Sequence, residues 1–237
     1  IGPTGAGKTS LLMALLGEME LTKGEIYLPG YNAREDLEVD KDGYTESVAY
    51  CSQAAWLLND SIRNNIIFAA PFNRDRYNKV VEACGLTRDF EILKAGDQTE
   101  IGEKGIALSG GQKQRVSLAR ALYSNSRHIL LDDCLSAVDS HTALHIYENC
   151  ISGPLMANRT VLLVSHNVAL TIKSAEYVIV MDNGKVTHQG TPHELLEAGA
   201  LGDDEMIKSS IMASRVNSSL NLKDVQSNDS SVTESVA

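Results

Sequence analysis

Gly2-Pro3-Thr4-Gly5-Ala6-Gly7-Lys8-Thr9 is a complete phosphate-binding loop at the first residues of the chain. Gly2, Gly5 and Gly7 let the backbone turn tightly, so that successive N–H groups point inward at anionic oxygens. In this pattern Lys8 carries a charge to the outer phosphates of a nucleoside triphosphate, and the Thr9 hydroxyl is placed to ligate Mg²⁺. The run that follows, Ser10-Leu11-Leu12-Met13-Ala14-Leu15-Leu16, is strongly helix-forming and stops at Gly17, a good C-cap. Phosphates held by the loop therefore lie on a helix N-terminus, where the macrodipole favours anions. A loop of this kind follows a buried strand, of which Ile1 alone precedes it, so the sequence is expected to begin inside a larger domain.

Working outward, apolar runs alternate with helical periodicity. Gly24–Leu28 reads as a short strand, and residues 31–47 as a polar, acidic loop. Ser47-Val48-Ala49-Tyr50-Cys51 reads as a buried strand that leads to Gln53. From about Asp60 to Gly96 and again from Gly111 to Tyr123 the pattern is helical, with a glycine-punctuated loop over Asp97–Ala107 between them, which predicts an inserted helical subdomain over about residues 54–123. His128–Asp132, Thr160–Val164 and Tyr177–Met181 are apolar enough to be buried on both faces, as in a parallel sheet. Asn183-Gly184 marks a hairpin turn, and Thr191-Pro192 opens a last short helix. The fold class is therefore α/β, a mostly parallel sheet with an inserted helical subdomain. The domain is expected to end near Leu201. Residues 202–237 are rich in Ser, Asn and Asp and read as a disordered linker, with a transient helix near Met206–Met212.

Composition narrows the function classes. The 237 residues carry a net charge of −10, which argues against a nucleic-acid surface. Cys51, Cys84, Cys134 and Cys150 are widely spaced with no CxxC pair, which reads as reduced thiols rather than a metal or disulfide framework. No apolar run approaches the ~18–20 residues needed to span a bilayer. His141 and His145 lie four apart on one predicted helix, but no third ligand accompanies them, so they read as surface histidines.

Further motifs complete the loop. Leu108-Ser109-Gly110-Gly111-Gln112 stands at a helix start. Ile129-Leu130-Leu131-Asp132 is a strand ending in a carboxylate of the Walker-B type, and Ser136-Ala137-Val138-Asp139 follows it. Val164-Ser165-His166 closes the next strand. In this order the set closely resembles the nucleotide-binding domain of ATP-binding-cassette (ABC) proteins over about residues 1–200. Tyr50–Leu57, Gly102–Gly105, Leu131–Asp139 and Gly153–Met156 are most similar to the first nucleotide-binding domain of C-subfamily transporters, the multidrug-resistance-associated and bile-acid or conjugate type, and several phrases look fungal.

That resemblance implies the following roles. Gly2 through Ser10 hold ATP; Thr9, Gln53 and Asp132 surround Mg²⁺; His166 meets the γ-phosphate. Ser109, Gly110, Gly111 and Gln112 cover the ATP of a second nucleotide-binding domain, with Asp139 at that dimer contact. The implied partners are that second domain and the transmembrane domains of one transporter, the implied location is the cytoplasmic face of a membrane, with the vacuolar and plasma membranes as candidates, and residues 202–237 begin a connector. The adenine-stacking aromatic of the family lies before the loop, and Tyr27 and Tyr31 come too late to supply it, so this chain alone is expected to bind ATP less tightly than a domain that carries it. One position departs from the family. Asp133 stands where active cassettes place the glutamate that positions the attacking water, and its arm is shorter by one methylene, about 1.5 Å. The implied function is an ATPase that drives export of amphipathic or conjugated organic anions, with a slow site of its own. A regulatory ATP-binding module with little hydrolysis is the alternative. Soluble ABC proteins of DNA repair or translation fit poorly, because long heptad arms and a basic surface are both missing.

Overall fold

A computed structural model describes residues 1–27, 36–102, 107–202 and 204–213. The chain divides into two compact units, one of residues 7–166 and one of residues 1–6 with the described residues from Asn167 onward.

The first unit is built on a three-stranded parallel sheet, β1 (Thr45–Cys51), β2 (Ser126–Asp132) and β3 (Thr160–Val164), in that order. Cys51 pairs with Leu131, and Asp132 with Val164, so the strands finish in step at one edge. Alternation sends Val48, Tyr50, Leu130, Leu162 and Val164 to one face, where Leu12 and Leu16 cover them. Leu12 belongs to α1 (Lys8–Leu15) and is fully buried. The other face meets α5, described below, through Cys51, whose thiol lies 3.6 Å from the Ser117 hydroxyl. Helices on both faces are why these strands read as continuous apolar runs.

The expected helical subdomain holds α2 (Ile62–Ile67), α3 (Arg74–Ala83), α4 (Thr87–Ile92) and α5 (Gly110–Tyr123). Ser61 and Asn73 cap the first two by accepting the backbone N–H groups of Asn64 and Arg76. A capping box opens α5 at Ser109. Its far end is held by two guanidinium groups, Arg76 and Arg159, which both donate to the carbonyls of Leu122 and Ser124. Trp56 packs on Phe68 with ring centroids 5.7 Å apart, and the Arg120 guanidinium lies 4.1 Å over the Trp56 ring. The helix α6 (Ser140–Ile146), which carries His141 and His145, is capped by Asp139 and widens into a π turn over Tyr147–Ile151. His145 on α6 is occupied structurally, with Nε2 3.1 Å from the Glu82 carbonyl.

The second unit holds α7 (Val168–Thr171), β4 (Val178–Asp182), β5 (Lys185–Gly190) and α8 (Pro192–Glu197). Two readings are corrected here. The apolar run at 177–181 was expected to join a parallel sheet, but β4 pairs antiparallel with β5 through the left-handed turn at Asn183 and Gly184. Ile1 donates to the Ile179 carbonyl and accepts from the Met181 N–H, which brackets Val180 as a parallel ladder does. So a strand position does precede the loop. The strand expected over Gly24–Leu28 does not form over residues 24–27, and Leu28 lies outside the described residues.

Packing also continues past Leu201. Residues 205–213 are helical, and Ile207 and Ile211 sit in a cluster with Ile172, Val178 and Leu195. Four-residue spacing puts both isoleucines on one helix face, and burial outweighs the polar composition around them. Residues 214–237, including the serines and the Asn217-Ser218-Ser219 site of the expected linker, lie outside the described residues. Ile211 is completely buried. Replacing Ile211 with Ala is expected to cost about 2–5 kcal/mol in denaturant unfolding, whereas Met212→Ala, at an exposed position, should stay within about 0.5 kcal/mol.

Candidate functional site

The loop begins in one unit and ends in the other. In the first part, a Cβ on Gly2 would stand 2.1 Å from the Met181 carbonyl oxygen, and Gly2 has φ +145°. No side chain fits there. The Ala6 carbonyl accepts from Gly184, and its N–H donates to Pro3, which closes the turn. In the second part Gly7 adopts φ 93° and opens α1 with no side-chain cap and no acidic residue in its first turn. Lys8 follows, 7% exposed, then Thr9 and Ser10. A helix start that its own chain leaves without a side-chain cap, beside a buried ammonium, suits an anion.

Asp132 ends β2 and is 1% exposed. Thr9 Oγ1 donates to its Oδ1 at 3.2 Å, and the Tyr50 hydroxyl donates to its Oδ2 at 3.4 Å. Burial, and then the Asp132 charge, push the Tyr50 phenol up to about 12, so it remains a donor. A buried carboxylate held by neutral hydroxyls, with a threonine oxygen beside it, is the donor set of a hard cation with oxygen ligands. The residues present therefore fit Mg²⁺.

Asp133 follows in the left-handed region, φ 50°, which aspartate tolerates better than most residues. Its N–H donates to the Val164 carbonyl at 3.0 Å, and its carbonyl accepts from the Ser136 N–H and hydroxyl. This anchoring turns a nearly buried carboxylate toward the end of β3, where His166 Nε2 lies 3.9 Å from Asp133 Oδ2. That distance is too long for a hydrogen bond. Gln53 is exposed in the bend two residues beyond β1. So Thr9, Asp132, Asp133, His166 and Gln53 come from four segments to the C-terminal edge of one sheet, where ligands bind in open α/β sheets.

Ser109 to Gln112 form a separate group at the start of α5. The Ser109 hydroxyl accepts from the Gln112 N–H at 3.2 Å, and Gln112 Oε1 accepts from the Ser109 N–H at 2.9 Å. A Cβ on Gly111 would meet the Ala137 carbonyl oxygen at 2.9 Å, whereas one on Gly110 would meet nothing within 4 Å. Ser109 makes these bonds within its own cap.

Two residues of this region escaped the sequence reading. Tyr50 is one. Its place two residues from Val48 on the α1 face was visible in the alternation, but its hydroxyl's partner was not. Gln114 is the other. It is 2% exposed and donates to the Ser52 carbonyl at 3.1 Å, which ties α5 to the residue before Gln53. No sequence signal marks that contact.

The sequence profile of the ABC transporter family matches residues 1–136. A protein from Saccharomyces cerevisiae named ATP-dependent bile acid permease is 68% identical over 222 residues, 94% of this chain and 13% of that protein. A pleiotropic ABC efflux transporter of multiple drugs from Candida glabrata is 64% identical over 223 residues, 94% of this chain and 14% of its own length. An ABC transporter ATP-binding protein/permease from S. cerevisiae is 58% identical over 236 residues, all of this chain and 15% of its own. The chain thus spans about a seventh of each. Among the described residues no helix is long and apolar enough to cross a membrane.

Removing the Tyr50 hydroxyl isolates its bond to Asp132. Tyr50→Phe is expected to lower stability by about 1 kcal/mol in urea unfolding, with the secondary structure unchanged by circular dichroism. An unchanged midpoint would show that Asp132 gains nothing from Tyr50.

Proposed function

The chain belongs to the ABC transporter family, and from that premise we propose that it is the first nucleotide-binding domain of a C-subfamily transporter, binding ATP with Mg²⁺ to drive export of amphipathic or conjugated organic anions across a membrane. The observation that carries the reading is the convergence of Thr9, Asp132, Asp133 and His166 at the ends of β2 and β3. The bile-acid permease among the relatives supports the anionic substrate class.

The proposed roles are those that the family resemblance implies, and the placement of these residues supports them. The loop Gly2–Thr9 and Ser10 hold the phosphates, with Lys8 offsetting their charge. Thr9 and Asp132, joined by Gln53, would hold Mg²⁺, which when bound neutralises charge developing on the phosphate oxygens. Asp133 orients and polarises the attacking water, and His166, exposed beside it, meets the γ-phosphate. Ser109 and Gly111 serve the ATP of a second nucleotide-binding domain, and Gln53 passes the state of this site to the transmembrane domains. ATP closure of that domain pair is the source of work.

Asp133 sets the rate. Catalysis of phosphoryl transfer is mostly positioning and electrostatics. A side chain about 1.5 Å short of the usual glutamate leaves the water without a well-placed base, and a misplacement of about 1 Å can cost about 100-fold. The site is therefore a slow one that holds ATP, while its Ser109 group supports faster turnover at the partner domain.

Membranes carrying the intact transporter, incubated with labelled 8-azido-ATP and Mg²⁺ with and without vanadate, test this directly. Stable ATP here and vanadate-trapped ADP at the partner domain are expected, and Asp133→Glu should raise turnover at this site by about tenfold or more. Equal vanadate-dependent trapping in both domains would make Asp133 a full substitute for glutamate and end the asymmetry. No Mg²⁺-dependent labelling here would end the nucleotide-binding role itself.

A further inference from the structure

Asp89, on α4, lies outside every motif considered so far, yet it is bonded to the signature sequence. Its Oδ1 accepts from Gln112 Nε2 at 2.8 Å, and its Oδ2 accepts from Arg115 Nη1 at 2.6 Å. Both side chains of the ion pair are largely buried, 17% and 15% exposed. Arg115 Nη1 also donates to the Gly85 carbonyl, while its buried Nε has no hydrogen-bond partner among the described residues. The guanidinium thus depends on Asp89 and Gly85 for its compensation.

The chemistry of the Gln112 amide makes this arrangement directional. An ionised carboxylate accepts hydrogen bonds and cannot donate them. Asp89 therefore requires the amide nitrogen of Gln112 to face it. The amide oxygen must then face the other way, where it accepts from the Ser109 N–H. A flipped amide would set its oxygen against the carboxylate and its NH₂ against the Ser109 N–H, losing both bonds. With the amide fixed, the Ser109 backbone is fixed, and its hydroxyl oxygen is engaged as an acceptor by the Gln112 N–H. A hydroxyl whose oxygen accepts in this way still has its hydrogen to donate. Ser109 is exposed, so that hydrogen is available to an acceptor arriving from outside the chain.

We propose that Asp89 is a positioning residue for Ser109, acting through the amide of Gln112 to hold the serine hydroxyl as a ready donor to the phosphate of an ATP bound on the partner domain. The proposal rests on the reading that Ser109 meets a nucleotide held by that domain. The link itself runs from α4 to the start of α5 and needs no movement of the loop or of Asp132. Preorganisation of this kind matters because a donor fixed before the ligand arrives loses no side-chain freedom on binding.

The test is a double-mutant cycle in the intact transporter, read as 8-azido-ATP labelling of each domain across a range of ATP concentrations. Asp89→Asn can turn its own amide nitrogen toward Gln112 and so releases the orientation. Gln112→Ala removes the relay while leaving the Asp89–Arg115 pair in place. Each is expected to weaken labelling of the partner domain about tenfold, close to the loss from Ser109→Ala, with labelling at this chain's own loop unchanged. The Asp89→Asn/Ser109→Ala double variant should lose no more than Ser109→Ala alone, because the three residues act in series. Additive losses in the double variant would overturn the proposal, as would a harmful Asp89→Asn beside a harmless Gln112→Ala, which would assign Asp89 to anchoring Arg115 alone. A harmful Ser109→Ala beside a harmless Asp89→Asn removes the proposal and leaves the signature reading intact. A harmless Ser109→Ala removes the signature reading, and the proposal with it.

Discussion

The Asp132 carboxylate is the constraint around which the first unit is arranged. A charge that is 1% exposed is costly unless something compensates it. Two hydroxyls do so from opposite sides, Thr9 from the start of α1 and Tyr50 from the end of β1. Each contact has a structural requirement. Thr9 reaches Asp132 because Leu12 and Leu16 seat α1 on the sheet face that carries Leu130 and Val164. Tyr50 reaches it because β1 and β2 pair with Tyr50 opposite Leu130. A slip of one residue in that ladder would turn the tyrosine to the α5 side. The apolar core and the polar site are thus fixed by one register.

The second organising element is α5, which is braced at three points. Its N-terminus is closed by the Ser109–Gln112 box and by Asp89. Gln114 and Ser117 hold the end of β1, and Arg76 and Arg159 gather the carbonyls at its C-terminus. Burial lowers the affinity of Arg159 for its proton to about 10, and no carboxylate is bonded to it among the described residues. Two guanidinium groups on the same carbonyls are tolerable there because the helix macrodipole places partial negative charge at that end. One rigid helix therefore joins the signature serine to the segment that carries Gln53.

Local pattern made much of this legible. The turn and helix start at Gly7, the helix starts at Ser109 and Thr191 and the apolar strands ending at Asp132 and Val164 all depend on residues close in sequence, and each forms where expected. What escaped is non-local. Val178–Asp182 has the composition of a buried parallel strand; its antiparallel pairing with β5 was legible only in the Asn183-Gly184 hairpin turn, not in the strand itself. The helix near Met206–Met212 was expected only as a transient one in a linker, whereas two isoleucines four apart, Ile207 and Ile211, seat it on Ile172, Val178 and Leu195. Tyr50, Gln114 and Asp89 act through hydrogen bonds to residues 23 to 82 positions away, which sequence spacing does not encode.

The glycines separate what the chain needs for itself from what it keeps for a ligand. Gly2 and Gly111 are fixed internally, because a Cβ would strike the Met181 or Ala137 carbonyl. Gly5 is fixed by its backbone, φ +80°, with open space around it. Gly110 meets neither condition. It has no left-handed φ and nothing within 4 Å of an added Cβ, and it stands exposed in the first turn of α5, where most residues would favour the helix more. Among the described residues nothing asks for glycine there. Under the proposed function, close approach of a second nucleotide-bearing domain to this helix start would account for the missing side chain beside Ser109.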